Sequence, residues 1–196
     1  MAYEHKLPAL PFPYDKLKGI SKQTNEWHHD KHFKAYVDGR NDVEKKLADM
    51  RAKGDFTGIR GVKLLESHNA SGMILHTLYY DILGGDGSVD MNSALVKKII
   101  QDFGSFELWK KEFVEVAKAA RGWSLLCFDP SDERLHNYMV DFQDLQAVWG
   151  VTPIFGIDVW EHAYYHDQGP DRAKYIDAFF NNIDWKKVEQ KFKAVK

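Results

Sequence analysis

Residues 21 to 83 limit the possible folds of this chain more than any other stretch. From Ser21 to about Ala52 no proline occurs, and His28, His32, Tyr36, Val43, Leu47 and Met50 follow at steps of 4, 4, 7, 4 and 3. That spacing turns one face of a helix in one direction. Ser21 supplies an oxygen suited to the N-cap. Gly54 to Gly58 reads as a loop. A second stripe, Val62, Leu65, Asn69, Met73, His76, Tyr80 and Leu83, predicts a helix from about Ile59 to Leu83, stopped by Gly84-Gly85-Asp86-Gly87. Two long helices joined by a short loop pack as an antiparallel hairpin.

The flanking segments read differently. Leu7 to Tyr14 carries Pro8, Pro11 and Pro13 and must be extended. Helical patterns cover about 92–102, 106–120 and 172–194. Trp123 to Phe128 is a short apolar run that ends at the turn Asp129-Pro130-Ser131-Asp132. Leu135 to Phe142 and Val151 to Val159 are further strand candidates, and three short strands predict a small antiparallel sheet. The expected class is α+β: an N-terminal antiparallel helical hairpin (1–87), then a mixed α/β lobe with a three-stranded antiparallel sheet (88–196).

Composition narrows the functions. Among 196 residues, 44% are hydrophobic and 14% aromatic, enough for a sizeable core rich in rings. A formal net charge of -2 gives no reason to expect a nucleic-acid or membrane partner. A single cysteine, Cys127, excludes an intrachain disulfide and any Cys-based zinc cluster. Residues 1–15 hold no apolar run of seven or more, so a cytoplasmic location is the expectation.

Three features carry chemistry. His28, His32 and Tyr36 occupy core-facing helical positions, where a buried imidazole needs partners for both nitrogens. His76 interrupts an otherwise apolar stripe on the second helix. A lone histidine in such a stripe is more often a hydrogen-bonded core residue than a ligand, and only the i, i+4 pair together with the second helix brings the two readings level. Asp158 and His162 stand four apart among Trp160, Tyr164 and Tyr165, a setting in which both are costly to desolvate unless paired or bound to a cation. Imidazoles with one carboxylate suit iron, manganese or zinc.

The octapeptide DVWEHAYY at 158–165 resembles the signature of the iron/manganese superoxide dismutases. LPALPFPY at 7–14 and HHDKHFKAY at 28–36 are similar to that family's opening, in the right order, and the likeness spans about 7–195. The resemblance implies a helical hairpin and a sheet-bearing lobe with one metal ion between them. His28, His76, Asp158 and His162 would hold it, with solvent as fifth ligand. It implies an enzyme that disproportionates superoxide to oxygen and hydrogen peroxide as the metal cycles between +3 and +2, which zinc cannot do. Around the ligands, Tyr36 matches a gateway tyrosine and His32 its neighbour. Trp123, Trp160 and Tyr80 match an aromatic wall, and Arg172 an arginine at the entrance that guides anions inward.

Metal choice follows the position of one glutamine near the bound solvent. The iron-type position, four before the second histidine ligand, is Gly72 here. Gln143-Asp144 fits the manganese-type position, with Gln146 as a substitute if the loop is one residue short. Manganese is therefore expected, with iron as the alternative. The resemblance also implies a homodimer or tetramer, in which Glu161 bonds His162 and Tyr165 meets His32 across the interface. Arg121, Leu125, Leu75, Pro170 and Asp171 depart from the usual residues, and none removes a ligand.

Two rival readings fit parts of the sequence. A ferritin-like di-iron protein needs two Glu-x-x-His pairs on helices. Glu26 with His29 and Glu133 with His136 have that spacing, but the second pair follows a turn in a strand-like stretch. A non-enzymatic relative would keep the fold without activity, and it would have no need of Tyr36, His32 and Gln143.

Overall fold

The computed structural model describes residues 3–146 and 148–195. Helix α1 (Lys22–Trp27) begins at Ser21, whose hydroxyl accepts from the Thr24 N–H at 3.1 Å. A π turn (His28–Phe33) leads into α2 (Lys34–Lys53), and Gly54, at φ 64°, ends it. The left-handed conformation there is one that glycine adopts without a Cβ penalty. Helix α3 (Ile59–Asp81) returns antiparallel. The expected hairpin is present, with two differences. The uninterrupted first helix carries a π turn, which buries both His28 and His29. Leu65, placed on the inward stripe, is 53% exposed, because the inward face here runs through Val62, Gly72, Leu75 and Leu78–Tyr80.

Beyond the hairpin lie α4 (Ala94–Phe103) and α5 (Phe106–Ala119), capped by Ser93 and Ser105. Strands β1 (Trp123–Asp129), β2 (Arg134–Val140) and β3 (Thr152–Asp158) form an antiparallel sheet in the order β2-β1-β3. Trp123 pairs with Val140 on one side and Asp158 on the other. The β1–β3 register slips between Leu126 and Cys127. Pro153, which has no N–H to donate, pairs with Cys127 beside this slip.

A 3₁₀ turn (Glu161–Ala163) and α6 (Tyr165–Gln168) follow. The expected C-terminal helix is two, α7 (Arg172–Phe180) and α8 (Trp185–Val195). The break is where Leu83 bridges Ile183, and the Asp184 N–H donates to the Ile82 carbonyl at 2.8 Å. Tertiary hydrogen bonds replace helical ones there, which periodicity cannot reveal. One core runs from Phe12 to Phe192 and takes in both lobes. Val43, Leu47, Met50 and Val62 form a separate small cluster towards the hairpin tip. Among the described residues no helix is long and apolar enough to cross a membrane.

Candidate metal centre

Four elements converge on one point. His28 opens the π turn, His76 sits in the inner half of α3, Asp158 ends β3 and His162 lies in the 3₁₀ turn. Their candidate ligand atoms all lie within 4.8 Å of one another. Asp158 Oδ2 is 3.1 Å from His162 Nε2, 3.2 Å from His28 Nε2 and 3.4 Å from His76 Nε2. His28, His76 and Asp158 are buried, and His162 forms the exposed edge.

Hydrogen bonds outside the cluster orient its members. His76 Nδ1 donates to the Gly72 carbonyl at 2.7 Å, so that nitrogen carries the proton. Its Nε2 is then a lone pair, buried and without a hydrogen bond, facing an anionic oxygen. That contact is repulsive unless a cation lies between the two atoms. Asp158 Oδ1 accepts from the Trp160 N–H at 2.9 Å, and its main-chain carbonyl accepts from the Tyr175 hydroxyl at 2.8 Å.

The electrostatics suit a cation. Burial pushes His28 down to about 3, and the neighbouring Asp158 pulls upward without restoring it, so the imidazole is neutral at ordinary pH. Burial alone would raise Asp158, but the neighbouring imidazoles of His162, foremost, and His28 hold it well below the usual carboxylate range. Neutral nitrogens around a full carboxylate are the forms that bind a metal, so this donor set fits one ion of manganese or iron.

The other expected residues take varied positions. The His32 ring lies 3.7 Å from that of His162, centroid to centroid, with its Nε2 buried and unpaired. Burial drives His32 to about 3 as well. Tyr36 packs 5.1 Å from the His76 ring, and its hydroxyl accepts from Gln143 Nε2 at 3.1 Å. Gln146 instead accepts from the Asp141 N–H, so Gln143 is the glutamine that meets Tyr36. Trp123 stands edge-on to His76 at 5.1 Å, and Tyr80 lies 5.5 Å from His28. Trp160 packs on Phe142. Arg172 donates to the Ala120 and Lys118 carbonyls and the Tyr164 hydroxyl, so its guanidinium is engaged in holding the chain.

The di-iron reading fails on geometry. Glu26, His29 and Glu133 join no potential metal cluster among the described residues. His29 is instead bound to Asp30 and the Pro8 carbonyl. His136 groups with Asp129 and Asp132, whose carboxylates accept main-chain N–H groups of their own turn. Sequence reading missed His68, whose ring lies against Gln143 and Tyr36. Its position on α3 one turn before Gly72 was the available signal.

Comparison with known proteins agrees with this geometry. Family models described as the iron/manganese superoxide dismutase alpha-hairpin domain and C-terminal domain match residues 4–84 and 91–191. The chain is 45% identical over 193 residues to superoxide dismutase [Mn] 2 of Halobacterium salinarum, covering 98% of this chain and 96% of that one. It is 45% identical over 186 residues to superoxide dismutase [Mn] 2 of Haloferax volcanii, covering 94% and 92%. It is 36% identical over 193 residues to superoxide dismutase [Fe] of Methanothermobacter marburgensis, covering 96% of each.

Proposed function

The chain belongs to the iron/manganese superoxide dismutase family, and from that premise we propose that it converts two superoxide anions and two protons into oxygen and hydrogen peroxide. One observation carries the reading: three imidazole Nε2 atoms surround Asp158 Oδ2, and one of them is the orphaned lone pair of His76. His28, His76, Asp158 and His162 would hold one metal ion per chain. When bound, that metal supplies the one-electron steps by alternating between +3 and +2.

The surrounding residues handle exclusion, orientation and protons. Trp123, Tyr80 and Phe33 close the buried side against bulk water. The Tyr36 hydroxyl is raised to about 12, burial being the main cause, so it stays a proton donor over the working range. Gln143 holds that hydroxyl in place. His32 lines the open side beside His162. Trp160 contributes its N–H to Asp158. Arg172 adds positive charge nearby while its N–H groups are used in packing.

Manganese is the proposed metal, with iron the alternative. Gly72 places no glutamine on α3, Gln143 supplies one from the loop after β2, and the two 45% relatives are named as manganese enzymes. A homodimer is also proposed. Glu161 and Tyr165 are exposed, and among the described residues the buried His32 Nε2 has no partner, consistent with interface roles for all three. The lobes 1–87 and 88–196 are read as one functional unit, because the proposed metal ligands come from both. A cytoplasmic location is proposed from the single cysteine and the lack of an apolar run in residues 1–15.

Elemental analysis of the purified protein, with an assay of superoxide consumption, tests the reading. The expected result is one manganese or iron per chain and dismutation proportional to metal content. Two metals per chain, or a fully loaded protein without activity, would overturn it. Sedimentation at micromolar concentration tests the dimer.

A further inference from the structure

We infer that His68 is a positioning residue for Gln143, and that it tunes the metal's redox balance through that glutamine. The inference rests on the dismutase reading above.

The case begins with donors and acceptors. A carboxamide nitrogen has two hydrogens to place. Gln143 is 5% exposed, so solvent cannot readily take them. One goes to the Tyr36 hydroxyl at 3.1 Å. The other acceptor within reach is His68, whose Nε2 and Nδ1 lie 3.0 and 3.1 Å from the amide nitrogen. Near-equal distances to both ring nitrogens place the amide nitrogen over the imidazole face, because the in-plane lone pairs diverge. Asp144 fixes the ring. Its Oδ1 lies 3.4 Å from His68 Nδ1, and a carboxylate only accepts. A proton on Nδ1 satisfies Asp144, and the second amide N–H of Gln143 meets the face of the imidazole.

Packing does not do this job instead. Gln143 lies in the irregular segment after β2, and it borders a largely apolar pocket of about 140 Å³ shared with Leu75, Leu125 and Val140. Among the described residues, no hydrogen bond from that side fixes the amide plane. The hydrogen bond to Tyr36 on α2 and the contact with the His68 ring on α3 do, so His68 ties the loop to the helix that carries His76. The His68 ring also lies 5.5 Å from that of Tyr36, closing a triangle of three side chains. Removing one corner frees an amide hydrogen and relaxes the angle at which Gln143 meets the site.

The test uses the metal-loaded protein. His68→Ala, His68→Gln, Gln143→Ala and the double variant His68→Ala/Gln143→Ala are compared for metal content, turnover and midpoint potential. The potential is read by redox titration of the metal's visible absorbance. His68→Ala is expected to keep its metal, shift the midpoint potential and lower turnover about three- to tenfold, the scale of one neutral hydrogen bond. His68→Gln, which retains an acceptor, recovers most of the loss. In the Gln143→Ala background the His68 change has no further effect, because the two act as one unit. An unshifted potential in His68→Ala, or a shift that persists without Gln143, overturns the inference. A metal-loaded wild type that does not dismutate superoxide defeats the underlying reading, while the potential cycle still decides whether His68 acts through Gln143.

Discussion

The two halves of the helical hairpin share a backbone plan and differ in almost everything else. At the inner end, Phe33, Val37, Leu78, Tyr79, Tyr80, Ile82 and Leu83 belong to the main core. The second lobe closes over this end, and His28 and His76 lie within it. At the outer end, Val43, Leu47, Met50 and Val62 pack mainly on one another, flanked by exposed Phe56, Leu64 and Leu65. A helix pair alone buries one stripe per helix. Only where a third layer covers it can imidazoles be stripped of water and aimed at a common point. The site therefore occupies the doubly enclosed half, and the tip serves as a clasp.

The sharpest way to break this contrast is His76→Ala, which removes a proposed ligand from the enclosed end. Losing even an outer partner of a ligand costs about 10–100-fold in metal affinity, so affinity should fall at least about a hundredfold here, with metal content and activity following it. Full metal by elemental analysis would show that His76 is only a core residue. Next comes a matched pair of truncations at similar burial. Leu78→Ala should destabilise the fold by about 3–4 kcal/mol and weaken metal retention, and Leu47→Ala by about 2 kcal/mol with metal and turnover intact. Equal costs in urea unfolding, or metal loss from the Leu47 variant, would erase the distinction.

Acid provides a smaller separation. In the metal-free protein His28 and His32 both titrate at about 3, against an unfolded value near 6.5. Between those values the unfolded chain binds more protons, so stability falls as pH is lowered from about 6.5 towards 3. Asp158, also depressed, adds loss in the same direction as its own folded value is reached. The melting temperature should drop on the order of 5–10 °C across this window, with the same slope in Leu47→Ala, since the outer cluster contains no histidine. A flat profile would mean that none of His28, His32 and Asp158 is held as described. The smallest effect is at Gly54→Ala, where a left-handed residue gains a Cβ in open space. About 1 kcal/mol of stability should be lost, with no change in activity.

Much of this was legible in the chain. Ser21, the glycines after each long helix, and the turn at Asp129–Asp132 mark boundaries by local chemistry, and the elements fall where those signals lie. Asp158 and His162 are legible because they sit in a specific string. His28 and His76 are ambiguous alone, because a stripe with one imidazole looks the same whether it faces a metal or a hydrogen-bond partner. What could not be read depends on distant contacts. The π turn at His28–Phe33 buries His28 towards Asp158 and His29 towards the Pro8 carbonyl, partners 130 and 21 residues away. A fixed 100° step cannot show two buried neighbours facing different ways. The α7–α8 break and the engagement of Arg172 have the same origin.

Gly72 has a consequence for how such a chain can change over generations. Any Cβ built there meets the Tyr36 ring, with Cγ at 2.7 Å. A glutamine introduced at 72 must displace Tyr36 and, with it, the hydroxyl that Gln143 grips. Removing Gln143 first leaves the site with no glutamine at either position. The route between the two placements therefore has no comfortable intermediate. Lineages should be found at one end or the other, and a crossing needs changes at 72 and 143 in close succession.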